Sequence, residues 1–477
     1  MKNILSGTLL VILFTALACK KLVEVDSPQT KFDANKVYEK DVNAIAVLTA
    51  FYQEMSMDFG FTQGTESISF IAGLSADELI DYPGSSSLRT AAYQNQLSAT
   101  AAPFWSRFYF FIYTANTAIK GITDSKSLSP QIKQELLGEA KFMRAFAYYY
   151  LVNLWGDVPL MVTNDYRLNN VAGRSTIVDV YAQIITDLQE ATNLLSADYL
   201  MSDLKTISKE RIRPNKWAAK ALLARAYLFI GDYNNAVRVA SEVIGNQNTF
   251  EICPLNDVFL ISSKEAIWQI QGTSIEWNTY DGKGFILFDG PTSFQPVSLS
   301  KSLMTSFESG DLRRELWTGT ITVSGNSYNY PYKYKVVKEN APKTEYLMVL
   351  RLAEQYLIRA EARAKSGDIA GAVADINVLR SRARATPTIQ IPDPLPPLSA
   401  SLGLDKVLNA ILHERRVELF TEWGHRWFDL KRTKNIDAVM ELETPLKGGV
   451  WSSNKALYPI PHSDVVNNAN IKQNDGY

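Results

Sequence analysis

The 477-residue sequence predicts a mainly α protein, a scaffold of paired helices with an irregular portion of loops and short strands set into it. Three observations predict this. Several segments space their apolar residues three and four apart, the period of an amphipathic helix. One helix–turn–helix unit occurs twice: Ala224, Ala226, Gly231, Asp232 and Ala236 align without a gap with Ala360, Ala362, Gly367, Asp368 and Ala372. Between the copies, residues 250–347 lose that period and gain Gly272, Gly282, Gly284, Gly290, Gly310, Gly319 and Gly325.

The chain begins with an apolar run, residues 4–18, too short to span a bilayer comfortably and closed by small residues before Cys19. This reads as a signal peptide over 1–18, with cleavage before Cys19 and lipidation of that residue. The alternative is a soluble secreted protein cut near Ala18. Residues 19–35 are polar and read as a tether, leaving 36–477 as one domain. The lipid would seat the protein on a membrane rather than through it. Cys253 is left as a lone, buried thiol.

Helices follow in order. Residues 37–57 place Ala44, Val47, Leu48 and Phe51 on one face. Residues 105–120 form the next and stop at Gly121. Ser129-Pro130 starts a long helix over 131–155, which Gly156 ends and Pro159 keeps from resuming. Residues 181–195 add another. The duplicated unit covers 217–244 and 349–384, each copy a helix, a Gly-Asp turn and a helix. The repeats thus fall in 37–245 and 348–432, and their Ala residues let helices approach closely. The unit resembles tetratricopeptide-type helix pairs, and a stack of such pairs suits a scaffold that docks to something. In the insertion, 266–271, 319–323 and 330–337 read as strands. Residues 385–404, with Pro387, Pro392, Pro394, Pro396 and Pro397, read as an extended surface loop.

Residues 404–432 concentrate charge among aromatics. Glu414, Glu418 and Asp429 stand with Arg415, Arg416 and Arg426, beside Phe420, Trp423, Trp427 and Phe428. A solvated face has no need of the aromatics. The expectation is a buried guanidinium–carboxylate network that fixes geometry, with Arg415 in reach of Glu414 or Glu418 one turn apart. Gly424 separates two helical pieces.

This stretch, ERRVELFTEWGHRWFDLKR over 414–432, resembles the ERR-x-EL…EG-x-R-x-x-DL-x-R signature of the SusD/RagB family of nutrient-binding lipoproteins. GEAKFMRAFAYYYLVNLWGDVPL over 138–160 resembles that family's GEA-x-x-x-RA…GDVPL segment. Tyr458-Pro459-Ile460-Pro461 and the closing Gln473-Asn474-Asp475-Gly476-Tyr477 resemble its C-terminus, and Ala76-Asp77 its Ala-Asp pair. The resemblance implies a glycan-binding lipoprotein on the outer membrane, facing the cell exterior. It further implies delivery of oligosaccharide to a SusC-like TonB-dependent outer-membrane transporter. Some members of the family bind peptides, so peptide capture is the alternative within it.

Candidate ligand contacts are aromatics that core spacing does not explain: Trp277, Tyr280, Phe285 and Phe288 in the Gly-rich run, with Tyr82, Arg89 and Tyr93 in the polar stretch 81–95. A sugar's C–H face packs on such rings while polar side chains bond its hydroxyls. The family-like Asp311-Leu312-Arg313-Arg314 precedes Trp317, which reads as structural.

Net charge is −1 from 49 basic and 50 acidic residues, so nothing points to nucleic acid. Three unclustered His and two Cys argue against a metal site, and no cofactor motif is present. A helical glycoside hydrolase is the enzyme alternative. No carboxylate pair stands out for it, since Asp77 and Glu78 would point apart on a helix. The tether, the repeat scaffold and the missing catalytic motif favour a binding protein without enzyme activity.

Overall fold

A computed structural model describes residues 37–57, 60–82 and 86–477. The signal peptide, the tether and Cys19 lie outside the described residues.

Helices α1 (Asp41–Met55) and α2 (Ile68–Ser75) lead to strand β1 (Leu79–Asp81) and the short α3 (Ser87–Tyr93). Then come α4 (Trp105–Asp124), α5 (Pro130–Trp155), α6 (Ile177–Leu194), α7 (Lys216–Phe229) and α8 (Tyr233–Ile244). Helix α6 starts earlier than its apolar spacing indicates, because Thr176 caps it by accepting the Asp179 N–H. Consecutive members of α4 to α8 pack side by side. Helix α5 anchors the row: Phe142, Phe146, Tyr148, Tyr149 and Tyr150 are all buried.

Residues 245–351 hold β2 (Ala266–Ile270), α9 (Tyr280–Phe285), β3 (Val297–Leu299), β4 (Thr318–Val323), β5 (Asn326–Pro331) and β6 (Leu347–Arg351). The strands pair antiparallel as β1–β3, β2–β6 and β4–β5. Ser324 and Gly325, with φ of 51° and 83°, close the β4–β5 hairpin. The expected strand over 330–337 stops at Pro331. Beyond it the chain turns inward, because the Lys333 ammonium is bonded to the Glu418 and Phe420 carbonyls and to Glu422. The N–H groups of Lys335 and Val336 bond the Glu345 carboxylate instead of a neighbouring strand.

The second repeat follows as α10 (Leu352–Lys365) and α11 (Ile369–Ala383), with 349–351 belonging to β6 rather than to the helix. Gly231 and Gly367 take φ of 78° and 91° at the two turns. Asp232 and Asp368 then cap α8 and α11 by accepting the N–H groups of Asn235 and Gly371. Helix α8 packs on α10, which joins the two copies. After the Pro-rich loop come α12 (Leu404–Leu419), α13 (His425–Arg432) and α14 (Ile436–Leu446). The C-terminal segment returns to α5, where Tyr458 N–H bonds the Leu154 carbonyl and Trp155 Nε1 the Pro459 carbonyl. No helix among the described residues is long and apolar enough to cross a membrane.

Candidate ligand-binding site

The guanidinium–carboxylate network joins the insertion to the helices. Arg313 holds Asp311 at 2.8 Å, Glu414 at 2.5 Å and Glu418 at 2.9 Å. Arg351 holds Glu265, Glu418 and Glu422 at 2.8, 2.6 and 2.8 Å, and Arg382 bonds Glu265 and Glu418. Burial alone would raise the Glu418 carboxyl, but Arg382, Arg351 and Arg313 hold it well below the usual carboxylate range. Arg415 does not reach Glu414 or Glu418. It turns to Asp429 at 2.6 Å, because the two glutamates already carry guanidiniums from outside their helix. Arg416 and Arg426 converge on Asp77 at 2.6 and 2.7 Å. Asp77 and Glu78 are not helical: α2 ends at Ser75, and the pair forms the turn into β1.

That turn delivers β1 to the insertion, and the β1–β3 pairing brings the two distant aromatic segments together. Tyr82 N–H bonds the Pro296 carbonyl, and its ring meets Tyr328 of β5 edge to face at 5.5 Å. Tyr93 is half-buried below the Lys447 ammonium, 5.4 Å from its ring centre. Arg89 is 3% exposed, its Nη1 donating to Thr65 Oγ1, so it holds this wall from beneath rather than forming its surface.

The opposite wall is α9 and its flanks. Trp277 and Tyr280 are half-buried, and the Lys283 ammonium sits 5.2 and 5.4 Å from their ring centres. Asn278 is fully buried and pins the loop, its Oδ1 accepting the Thr344 and Glu345 N–H groups. Phe288 is 57% exposed. Phe285 is a core residue: it stacks on Phe70 at 3.9 Å and is 3% exposed, because α9 turns that face toward α2. Gly284 permits this approach, since a Cβ there would lie 2.9 Å from Phe70.

Residues 63–66 tie the two segments together. Gln63 accepts the Tyr280 N–H, Gly64 N–H bonds Asp281, Thr65 meets Arg89, and Glu66 accepts from Ser86. Tyr82 and Tyr93 thus stand on the segment that follows β1, Trp277 and Tyr280 flank Lys283, and Phe288 is exposed beyond α9. The sequence reasoning missed Tyr328 and Phe294, the latter 72% exposed on the turn after Phe288. For Tyr328 the signal was the alternation Tyr328, Tyr330, Tyr332, which puts aromatics on one face of a strand. Among the described residues no cluster of His, Cys, Asp or Glu could hold a metal ion.

The SusD family model matches residues 268–477, and a family model described as starch-binding associating with outer membrane matches 34–228. The chain belongs to the SusD/RagB family. SusD-like protein P2 of Formosa agariphila is 27% identical, the match covering 98% of this chain and 99% of that protein. A SusD superfamily structure from Bacteroides vulgatus superposes with a TM-score of 0.77 at 18% identity, covering 92% of this chain and all of the other. A laminarin-binding SusD-like protein superposes with a TM-score of 0.73 at 24% identity, over 92% of this chain and 100% of its own. These superpositions establish a SusD-like helical fold.

Proposed function

We propose that this SusD/RagB protein is a glycan-binding lipoprotein of the outer membrane, held by Cys19 and facing the exterior. It captures oligosaccharide and passes it to a SusC-like TonB-dependent transporter. Residues 1–18 act as the export signal, 19–35 as the tether and 36–477 as the binding unit. The protein binds and does not catalyse.

One observation carries the reading: β1–β3 pairing ties the 81–95 segment to the insertion, so that Tyr82 meets Tyr328 from far along the chain. Flat rings on opposing walls suit the C–H faces of sugars, and the hydrophilic residues 63–66 suit their hydroxyls. The starch-binding family description and the laminarin-binding neighbour support the same class of ligand. Trp277, Tyr280, Tyr82, Tyr93 and Phe288 are the contacts we assign, with Phe294 and Tyr328 added.

Retention in native gels containing starch or laminarin tests the reading. Trp277→Ala should migrate faster than the parent in the retaining gel while melting at nearly the same temperature. Equal retention would remove Trp277 from the site, and release of reducing ends from either glycan would overturn the non-catalytic assignment. Affinity capture of the lipidated protein from native membranes tests the partner: a stoichiometric transporter is expected, and its absence would refute the hand-off.

A further inference from the structure

Glu78 stands apart from the acids of the buried network. Asp311, Glu414, Glu418 and Glu422 each face a guanidinium or ammonium within hydrogen-bonding distance. Glu78 faces none. Its Oε2 accepts the Thr421 N–H at 3.3 Å, and its Oε1 has no hydrogen-bond partner among the described residues. The residue is 2% exposed.

The backbone that Glu78 holds is strained. Thr421, Trp423 and Gly424 have φ of 54°, 48° and 73°, so three of four residues are left-handed and one of them is β-branched. The main chain of the turn is fastened by Glu78 to Thr421 N–H and Ser69 Oγ to Trp423 N–H at 3.0 Å, and its side chains by Glu422 to Arg351 and Lys333 and by Trp423 Nε1 to the Met348 carbonyl at 2.7 Å. On the other side, Glu78 is the last residue before β1, the strand that carries Asp81 and Tyr82 to the cleft.

The charged groups around it are few. Asp77 precedes it and is claimed by Arg416 of α12 and Arg426 of α13. Lys333 approaches from the segment after β5, and its ammonium belongs to Glu422. Lys447 lies beside Asp77 and donates to the Leu74 and Ser75 carbonyls. Helix α2, where a Cβ at Gly73 would lie 3.4 Å from Glu78 Oε2, contributes no titratable side chain.

We propose that Glu78 is a proton-operated latch. Its neutral carboxyl lets the strained 421–424 turn close on the root of β1, and ionisation releases both. Burial, then the Asp77 charge, push this carboxyl up to about 8, against the Thr421 N–H, Arg426 and Lys333. Ionisation places a second negative charge next to Asp77 in a buried pocket where, among the described residues, the Thr421 N–H is its only hydrogen-bond donor. Opening the turn brings water to it and frees the strained residues. The cleft wall at Asp81 and Tyr82 loosens in the same step, so proton loss regulates the site whatever ligand occupies it.

Hydrogen–deuterium exchange of the intact, unliganded protein from pH 6.5 to 9.5, corrected for intrinsic rate, tests the latch. Peptides covering 76–82 and 419–426 should lose about tenfold in protection between pH 7 and 9, the loss accruing at up to one decade per unit below the closed-state midpoint and levelling off above it. Glu78→Gln, which keeps shape and neutrality, should stay flat. A flat parent, or the same loss in Glu78→Gln, overturns the proposal. Asp77→Asn provides a second check, since removing the adjacent charge should move the loss to lower pH. An unmoved midpoint would equally overturn it.

Discussion

Replacing Arg351 with Met should be among the most damaging single changes in this protein, and the structure says by how much. Every donor of the guanidinium is engaged: Nε with Glu422, Nη1 with Glu265 and Glu418, Nη2 with Glu422 and the Glu418 carbonyl. The connected network holds the acids Glu265, Glu308, Asp311, Glu414, Glu418 and Glu422 against Arg313, Lys333, Arg351, Arg380 and Arg382, six against five. Arg351→Met leaves six against four. Removing one partner of a buried pair costs about 3–5 kcal/mol, because the other charge stays buried. For a chain of this size that corresponds to a fall in melting temperature of roughly 3–5 °C. Glu418→Gln should cost less, since it brings the count to five against five. The sign with pH is also fixed. Burial raises Glu418 and Glu422, but Arg382 and Arg351 pull the first, and Arg351 and Lys333 the second, below their ordinary values. That stabilisation is full above the unfolded carboxylate value and is lost as pH falls through the folded one. The variant lacks most of it, so the gap between parent and variant should hold from pH 7 to about 4.5 and narrow as pH falls from there toward about 2. Thermal melts by circular dichroism across that range provide the measurement. A variant within about 1 kcal/mol of the parent at pH 7, or a gap that holds constant over that whole range, would refute the reasoning.

Other outcomes follow from the same geometry. Phe285→Ala should cost about 3–5 kcal/mol by opening a cavity against Phe70. Phe294→Ala should change stability by less than about 0.5 kcal/mol, and parallel urea titrations will separate a core ring from a surface one. Asp232→Ala and Asp368→Ala each remove a helix N-cap and should each cost about 1 kcal/mol. Because the caps sit in separate copies of the repeat, the double variant should be additive, and a shortfall in its urea midpoint would show that the copies are coupled.

Local rules carried most of the helical part into view from sequence. Gly231-Asp232 and Gly367-Asp368 mark the repeat turns because a left-handed cap and an Asp N-cap are demanded by backbone chemistry within a few residues. The long helix over 131–155 was legible for the same reason, with Pro130 at its start and Gly156 at its end. Long-range choices were not legible. Whether Arg415 pairs with Glu418 or with Asp429 depends on guanidiniums arriving from Arg313 and Arg351, far away in the chain. Phe285 and Phe288 look alike in sequence, and only the docking of α9 on α2 decides that one is core and the other exposed. Tyr328 enters the cleft through the register of a hairpin, and a misplaced strand boundary hid it.

The placement of the network argues for its purpose. A buried ion cluster is no more stable than a well-packed apolar core of equal volume, so stability alone does not explain keeping it. What planar, bidentate groups add is register. Arg313 and Arg351 come from the irregular insertion, while Glu414 and Glu418 come from α12. Arg416 and Arg426, from α12 and α13, then fix Asp77 at the root of β1. The same helix pair thus sets the position of both segments that supply the cleft, β1 through Asp77 and the insertion through Arg313 and Arg351. Irregular loops have no repeating geometry of their own to align two distant aromatic walls. An apolar joint tolerates slippage of the kind that a fully engaged guanidinium forbids. The charged stretch over 414–432 is therefore best understood as the part of the scaffold that gives the loops their shape.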